Sequence, residues 1–297
     1  MSIGLPVYNG ENYLAETLDS LRAQTFSDIE IIISDNASTD ATEGISRKAA
    51  AEDPRIRYVR QQNNLGAAPN YNIVFELARG SLFKWSAHDD LCHPDFVRKC
   101  VEALDAHPHA VGAFPLTDMI GPVGEPVAQS DARPGLERPE PSHRLQAVLA
   151  ERDTFPVFGV YRRQAVAATK GHGGYTGSDR ILLAELALTG RLVEVPERLF
   201  SFRYHPDQSI AMSSARWFDH HRREAWFDSS RQGKFVFPYW RRVAGYAGAV
   251  RSAPLTRGQR MRCATTIAKW ALGSWKGLTL DIVSLPVQIS DRLVKPS

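Results

Sequence analysis

With 297 residues, 43% hydrophobic and 23% charged, the chain has the makings of one large globular domain plus an appendage, which excludes a disordered or fibrous protein. Its three cysteines, Cys92, Cys100 and Cys263, form no C-x-x-C pair, which argues against a disulfide framework or structural zinc site and fits reduced thiols in a cytosol. The net charge of +3 hides an asymmetry: from Arg216 onward, 15 Lys and Arg face 5 Asp and Glu, the pattern either of a tail that meets an anionic surface or of a solvated helical face.

In chain order, Ile3 to Val7 reads as a short apolar strand, which leaves no room for a signal peptide. Leu14, Leu18 and Leu21 recur at helical spacing, and Ile29 to Ser34 is a β-branched strand. Asp40 and Glu43 have the spacing of a capping box opening a helix to about Ala51. A strand over Arg55–Arg60 and a helix over Ala68–Ala78 follow, the latter closed by Gly80 as its C′ residue. Next come a strand from Ser81 to Ala87, a helix from Pro94 and a strand from Ala110 to Leu116. This β-α alternation predicts a parallel sheet covered on both faces. Residues 119–142, rich in Pro, Gly and charge, read as a surface loop. A strand at Phe155–Arg162, a helix at Ser178–Thr189 and strands at Arg191–Val195 and Leu199–Tyr204 complete the second part, and from Ser213 the pattern is helical, aromatic and basic. No run approaches the ~18 apolar residues of a membrane span.

The most informative residues are His88-Asp89-Asp90, at the carboxyl end of the fourth strand. Adjacent carboxylates repel, and a divalent cation relieves that repulsion; in open α/β sheets, ligands bind at this edge. An acidic approach to the next helix is the plainer reading. The first strand runs into Pro6-Val7-Tyr8-Asn9-Gly10-Glu11, where a ring can stack on a base and a carboxylate can accept from a base N–H, although Asn-Gly is also a turn signal. Asp35 leaves the second strand at the same edge, Asp40 reads as a helix cap, and Asn64-Leu65-Gly66 offers a glycine where backbone can approach a ligand. No dinucleotide or P-loop glycine motif is present.

The segments LPVYNGENYL, SDNASTD, NNLG, ARGSLFKWSAHDD and HPDF, in this order, resemble family 2 glycosyltransferases of the GT-A fold. The resemblance is strong from residue 3 to about 116 and weaker to about His205. It implies nucleotide contacts by Pro6, Val7, Tyr8, Glu11, Asp35, Gly66, Asn72 and Asp89, with Asp89 on the ribose and Asp90 on Mg²⁺ or Mn²⁺, joined by Asp89 and His205. Many members carry an aspartate where this chain has Ala87. The family's catalytic base falls on Asp179, which opens a helix where a carboxylate is also favoured by the helix dipole. An inverting, metal-dependent transfer from a nucleotide-diphosphate sugar is implied, serving cell-surface polysaccharide or glycolipid synthesis. The rivals are a nucleotidyltransferase, for which the acidic loop after the first strand is ill suited, and a non-catalytic nucleotide-sugar-binding or membrane-scaffold protein.

The expected architecture is thus an α/β, GT-A-type fold with a mostly parallel central sheet flanked by helices. The catalytic domain spans 1–210, with a nucleotide-binding part to about 118 and an acceptor-side part over about 140–210; residues 211–297 form a basic, aromatic helical extension. Trp217, Trp226, Tyr239 and Trp240 lie there among Arg222, Arg223, Arg231, Arg241 and Arg242. Farther on, Lys269, Trp270, Trp275 and Lys276 among Ile267, Leu272, Leu278 and Leu280 resemble an interfacial helix. The partners to consider are the sugar donor, a carbohydrate or lipid-linked acceptor, a peripheral membrane contact through this region and a second copy of the chain, but no nucleic acid. The expected location is the cytoplasm, or peripherally the inner face of the cell membrane.

Overall fold

The computed structural model describes residues 1–132, 135–150, 153–206, 235–286 and 288–289. The chain alternates β1 (Ser2–Val7), α1 (Leu14–Arg22), β2 (Glu30–Asp35), α2 (Thr42–Glu52), β3 (Ile56–Arg60), α3 (Ala67–Glu76) and β4 (Leu82–Trp85). A two-residue strand β5 (Leu91–Cys92), α4 (Phe96–Ala106), β6 (Ala110–Ile120), β7 (Pro126–Gln129), α5 (Pro141–Ala150), β8 (Val160–Arg162), α6 (Arg163–Ala167), α7 (Ser178–Thr189) and β9 (Arg191–Arg203) follow. Beyond them lie α8 (Pro238–Ser252), α9 (Arg257–Gly273) and α10 (Trp275–Val283).

One sheet of nine strands runs in the order β3-β2-β1-β4-β8-β6-β9-β5, with β7 beside β6. The β1–β4 half is parallel, as expected: β1 pairs with β2 and β4, and β2 with β3. The other half is mixed, because β8 runs antiparallel to β4 and β6 while β9 runs parallel to β6. β1 and β4 pair only over Ser2–Gly4, so the two strands part before Pro6, and the crevice between their carboxyl ends opens there. A proline is tolerated at that point because the ladder toward β4 has ended.

The sheet is buried on both faces. Ile31 and Ile33 pack with Leu14, Leu18, Leu21, Phe96 and Val97 of α1 and α4, whereas Ile32 faces the core formed with Val74 and α7. That two-sided burial is why IEIII carries no polar alternation. α7 is apolar almost all round, from Ile181 to Leu188, because α5, α8 and the sheet enclose it. Tyr246, Ala249 and Val250 of α8 and Cys263 and Ile267 of α9 join the same core, so the helical extension packs directly against α5 and α7. The stretch holding Trp217, Trp226, Arg222, Arg223 and Arg231, and the 210/211 boundary, lie outside the described residues.

Several local expectations are corrected. The capping box at Asp40 and Glu43 does not form: α2 begins at Thr42, Asp40 accepts from the Thr42 N–H at 3.0 Å, and Glu43 turns to Arg47 and Arg60 at 2.8 and 2.9 Å. A reciprocal box exists instead at Thr256 and Gln259 of α9. Gly80 is not the C′ residue of α3, whose cap is Leu77; a Cβ at Gly80 would lie 2.7 Å from the Met1 and Ser2 backbone, so it serves a close crossing. Residues 119–142 are not one loop: β6 continues to Ile120, β7 forms a hairpin with it, and α5 starts at Pro141. Phe155–Arg162 divides into a 3-10 turn at Phe155–Phe158 and β8, and the two last strands are the single β9, with its register slipping around Pro196.

Candidate functional site

The loops leaving β1, β2 and β3 are stitched together by buried amides. Asn70 donates to the Ser34 carbonyl at 2.8 Å, and Asn36 donates to Asn64 at 2.8 Å and to the Gly66 carbonyl at 3.1 Å while accepting from the Leu65 N–H at 2.9 Å. Gly66 opens α3 with φ +89, a conformation that strains any other residue. Pro6 and Val7 are buried under this edge, and Tyr8 stands 42% exposed, free to stack. Glu11 and Asp40 exchange backbone contacts: the Glu11 N–H donates to Asp40, and the Ala41 N–H to Glu11. Glu11 therefore helps cap α2. Asp35 is fully buried, with one oxygen accepting from the Ser38 N–H at 2.8 Å and the other from the Tyr58 hydroxyl at 2.7 Å, 3.6 Å from the Arg60 guanidinium.

At the end of β4 the chain turns through Ala87-His88-Asp89-Asp90. The Thr17 hydroxyl of α1 lies within donating distance of both the His88 and Asp90 carbonyls, at 2.8 and 3.0 Å. The His88 ring occupies the space beside Gly10, where a Cβ would come within 2.6 Å of it. Asp90 is fully buried; one oxygen accepts from the Arg203 N–H at 2.9 Å and the other has no partner. Burial first, and then the neighbouring Asp89 charge, push the Asp90 carboxyl well above the ordinary range, against the pull of the Arg203 contact and Lys84. Asp89 lies 2.9 Å from Nε2 of His205. A carboxylate can only accept there, so Nε2 carries the proton of this contact, while the buried Nδ1 has no hydrogen-bond partner. The His205 ring leans on Tyr13, centroids 4.7 Å apart.

Asp179 begins α7, after Gly177 at φ +82. It accepts from the Thr154 hydroxyl at 2.6 Å and from the Arg180 N–H at 2.9 Å. The phenol of Tyr71 in α3 is pushed up by burial and then by the charges of Asp89, Asp90 and Asp179. His172 packs its ring 4.8 Å from both Tyr71 and Trp85, and burial pushes it down to about 4, so it is neutral. Asn72 does not face this edge as a free amide: it donates to the His172 carbonyl and accepts from the His172 N–H, both at 2.9 Å, pinning the loop ahead of α7.

Sequence reading missed Tyr71, Thr154 and above all Arg203. The last is 1% exposed and reaches the Asp89 carbonyl through Nε at 2.9 Å, the Pro122 carbonyl at 3.1 Å and Glu16 at 2.7 Å, with its guanidinium over Tyr13. Its only sequence signal was adjacency to His205. Among the described residues, no three His, Cys, Asp or Glu side chains converge as a ready-made metal cage.

The sequence model described as glycosyl transferase family 2 matches residues 2–168. An uncharacterized glycosyltransferase of Haemophilus influenzae is 24% identical over 227 residues, covering 71% of this chain and 68% of its own. Relatives at 36–40% identity align over 105–112 residues, and these matches span only 12–32% of their own length. Among solved structures, S. aureus TarS 1-349 in complex with UDP-GlcNAc superposes with a TM-score of 0.67 at 18% identity, covering 97% of this chain and 78% of that one. The mannosyltransferase PcManGT of Pyrobaculum calidifontis, in complex with GDP-Man and Mn2+, gives 0.58 at 16% identity, covering 100% and 75%. These likenesses are of fold.

Proposed function

Because the chain belongs to glycosyl transferase family 2, we propose that it transfers a sugar from a nucleoside diphosphate sugar to an acceptor hydroxyl, with inversion at the anomeric carbon. The family match carries the reading, with the Asp89-Asp90 pair beyond the carboxyl end of β4 as the leaving-group side and Asp179 at the start of α7 as the acceptor side. Tyr8 stacks on the base. Asp35, held by Ser38 and Tyr58, shapes the floor beneath it. Asp89, oriented by His205, takes the ribose.

A divalent cation suits the acidic pair. The unpartnered, buried oxygen of Asp90 beside a second carboxylate is a hard-oxygen donor set, and Mg²⁺ commonly binds through one or two carboxylates plus substrate phosphates rather than a full protein cage. Held by Asp90 and Asp89, it would offset the charge that gathers on the departing diphosphate. His205 contributes by holding Asp89. Asp179 accepts the acceptor's proton as the new bond forms. Thr154 keeps its carboxylate aimed, and such general-base help is worth roughly 10²–10⁴ in rate.

The similar solved proteins bind UDP-GlcNAc and GDP-Man, so uridine and guanosine donors head the screen, with a carbohydrate or lipid-linked acceptor. The test is donor turnover across UDP-, GDP- and dTDP-sugars with Mn²⁺, for wild type and Asp179→Asn. The expected outcome is turnover in wild type and its loss in the variant, with nucleotide affinity held within about threefold, a difference of roughly 0.65 kcal/mol. Metal-dependent binding without turnover in wild type would instead establish a binding scaffold.

A further inference from the structure

The outermost helix of the chain is built inside out. In α10 and the residues just past it, the positions buried against the protein are Gly277, Asp281 and Gln288, which share one side at spacings of four and seven residues. They dock by polar and steric fit. Asp281 accepts from the Tyr239 and Trp240 N–H groups at 2.7 and 3.0 Å, capping the start of α8. Gln288 pairs with both the N–H and the carbonyl of Val236 at 3.0 Å. A Cβ at Gly277 would overlap the Tyr239 ring. The opposite side carries Trp275 (59% exposed), Ile282 (53%) and Val283 (59%), continued by Leu272 (74%) at the end of α9. A soluble surface helix normally does the reverse.

An apolar face this contiguous needs a cover, and charge selects among the candidates. Between Pro238 and Val283 the chain has eight Lys and Arg and a single acid, Asp281, which is buried. Lys269 and Lys276 are exposed alongside the apolar residues, and the Lys276 ammonium lies 5.8 Å from the Trp275 ring. A second copy of the chain meeting this face in a two-fold contact would set lysines against lysines with no acid to answer them. An anionic lipid surface answers both features: it accepts the Trp and aliphatic side chains at the headgroup boundary and attracts the lysines around them. No described helix is long and apolar enough to cross a membrane, so the contact is with the surface.

We propose that the outward face of α10, with the end of α9, is a docking surface for an anionic membrane. It stands on these helices alone and is independent of the transfer reaction proposed above.

The test is co-sedimentation of the full chain with phosphatidylcholine vesicles, with and without about 30% phosphatidylglycerol, for wild type and for the double variant Ile282→Asp/Val283→Asp. Both substituted residues are exposed, so folding should survive, and melting temperature and UDP or GDP binding report whether it does. Wild type is expected to pellet with the anionic vesicles, to partition at least tenfold less onto the neutral ones, and to be released by salt. The double variant is expected to lose at least tenfold in partitioning while melting and nucleotide binding stay unchanged. Three results would overturn the proposal: wild type left in the supernatant, equal partitioning of variant and wild type, or a wild-type dimer in sizing chromatography that the two aspartates dissolve. The last would reassign the face to a second copy of the chain.

Discussion

Arg203 is the residue on which the acidic corner rests, and Arg203→Ala is the sharpest test of that view. Its guanidinium is buried and bonds the Asp89 and Pro122 carbonyls, while its remaining nitrogen reaches Glu16, whose side chain is 55% exposed. An ion pair with so exposed a partner is worth below about 1 kcal/mol. Most of the loss must then come from the buried Asp89 carbonyl and the part-buried Pro122 carbonyl stripped of their donor and from the void over Tyr13, together about 3–5 kcal/mol at roughly 1–3 kcal/mol per buried group left unpaired. At roughly 2–4 °C per kcal/mol for domains approaching this size, Arg203→Ala should melt on the order of 10 °C below wild type, and Glu16→Ala less than about 3 °C below. Arg203→Lys should fall between the two, because an ammonium keeps the charge but cannot fork to both carbonyls. The Arg203 charge also helps hold the Asp90 carboxyl down, so the alanine variant should show a smaller Mn²⁺-induced melting shift even where it folds. Differential scanning calorimetry of the four proteins, with and without Mn²⁺, decides. If Arg203→Ala melts within about 2 °C of wild type, or Glu16→Ala costs as much as Arg203→Ala, the buried network is not what supports the acidic pair.

The loop ahead of α7 offers further tests. Asn72→Ala removes both hydrogen bonds to His172, at about 1 kcal/mol each, so hydrogen exchange over residues 169–177 should speed up while β1–β3 stay protected; unchanged exchange would mean that the loop is held elsewhere. His172 ordinarily titrates near 6.5 but burial holds it down to about 4, so below 6.5 the unfolded chain binds a proton that the folded one refuses. Stability should therefore drop as pH falls from 6.5 toward 4, by at most about 3 kcal/mol, reduced by the screening its partly exposed ring feels. Denaturant titration at pH 7 and pH 4.5 should show a smaller drop for His172→Phe than for wild type, and parallel drops would refute it. Gly177→Ala should cost about 1–2 kcal/mol through its left-handed backbone and, by tilting the start of α7, lower transfer more than nucleotide binding; equal losses in both would show that Gly177 does not aim Asp179.

What was legible in the sequence is what neighbours in sequence decide. IEIII announces a strand of a sheet covered on both faces, and Ser178–Thr189 a helix whose bounds the structure reproduces, because each signal is complete within one element. The acidic pair was visible as a pair. Its burial was not, because the cover comes from Arg203 and His205, more than a hundred positions away on a strand whose register nothing local specifies. The same limit explains Asp40 and Glu43: their spacing satisfies a capping box, but Glu11 and Arg60, brought in by other strands, take their side chains first. In α10 the failure runs deeper. The apolar positions over Ile267–Leu280 were read as amphipathic, yet an amphipathic pattern says only that two sides differ and leaves open which one meets the protein. Here the steric need of Tyr239 for a glycine, and the need of the α8 amides for a carboxylate, pull the polar side inward. Once Asp281 and Gln288 are committed to backbone groups, rotating the helix to bury Ile282 and Val283 would orphan four hydrogen bonds. At about 1–3 kcal/mol for each buried group left unpaired, that rivals the roughly 1.5–3 kcal/mol gained by each of two aliphatic side chains. The apolar face therefore stays outward, and what it meets has to come from outside the described fold.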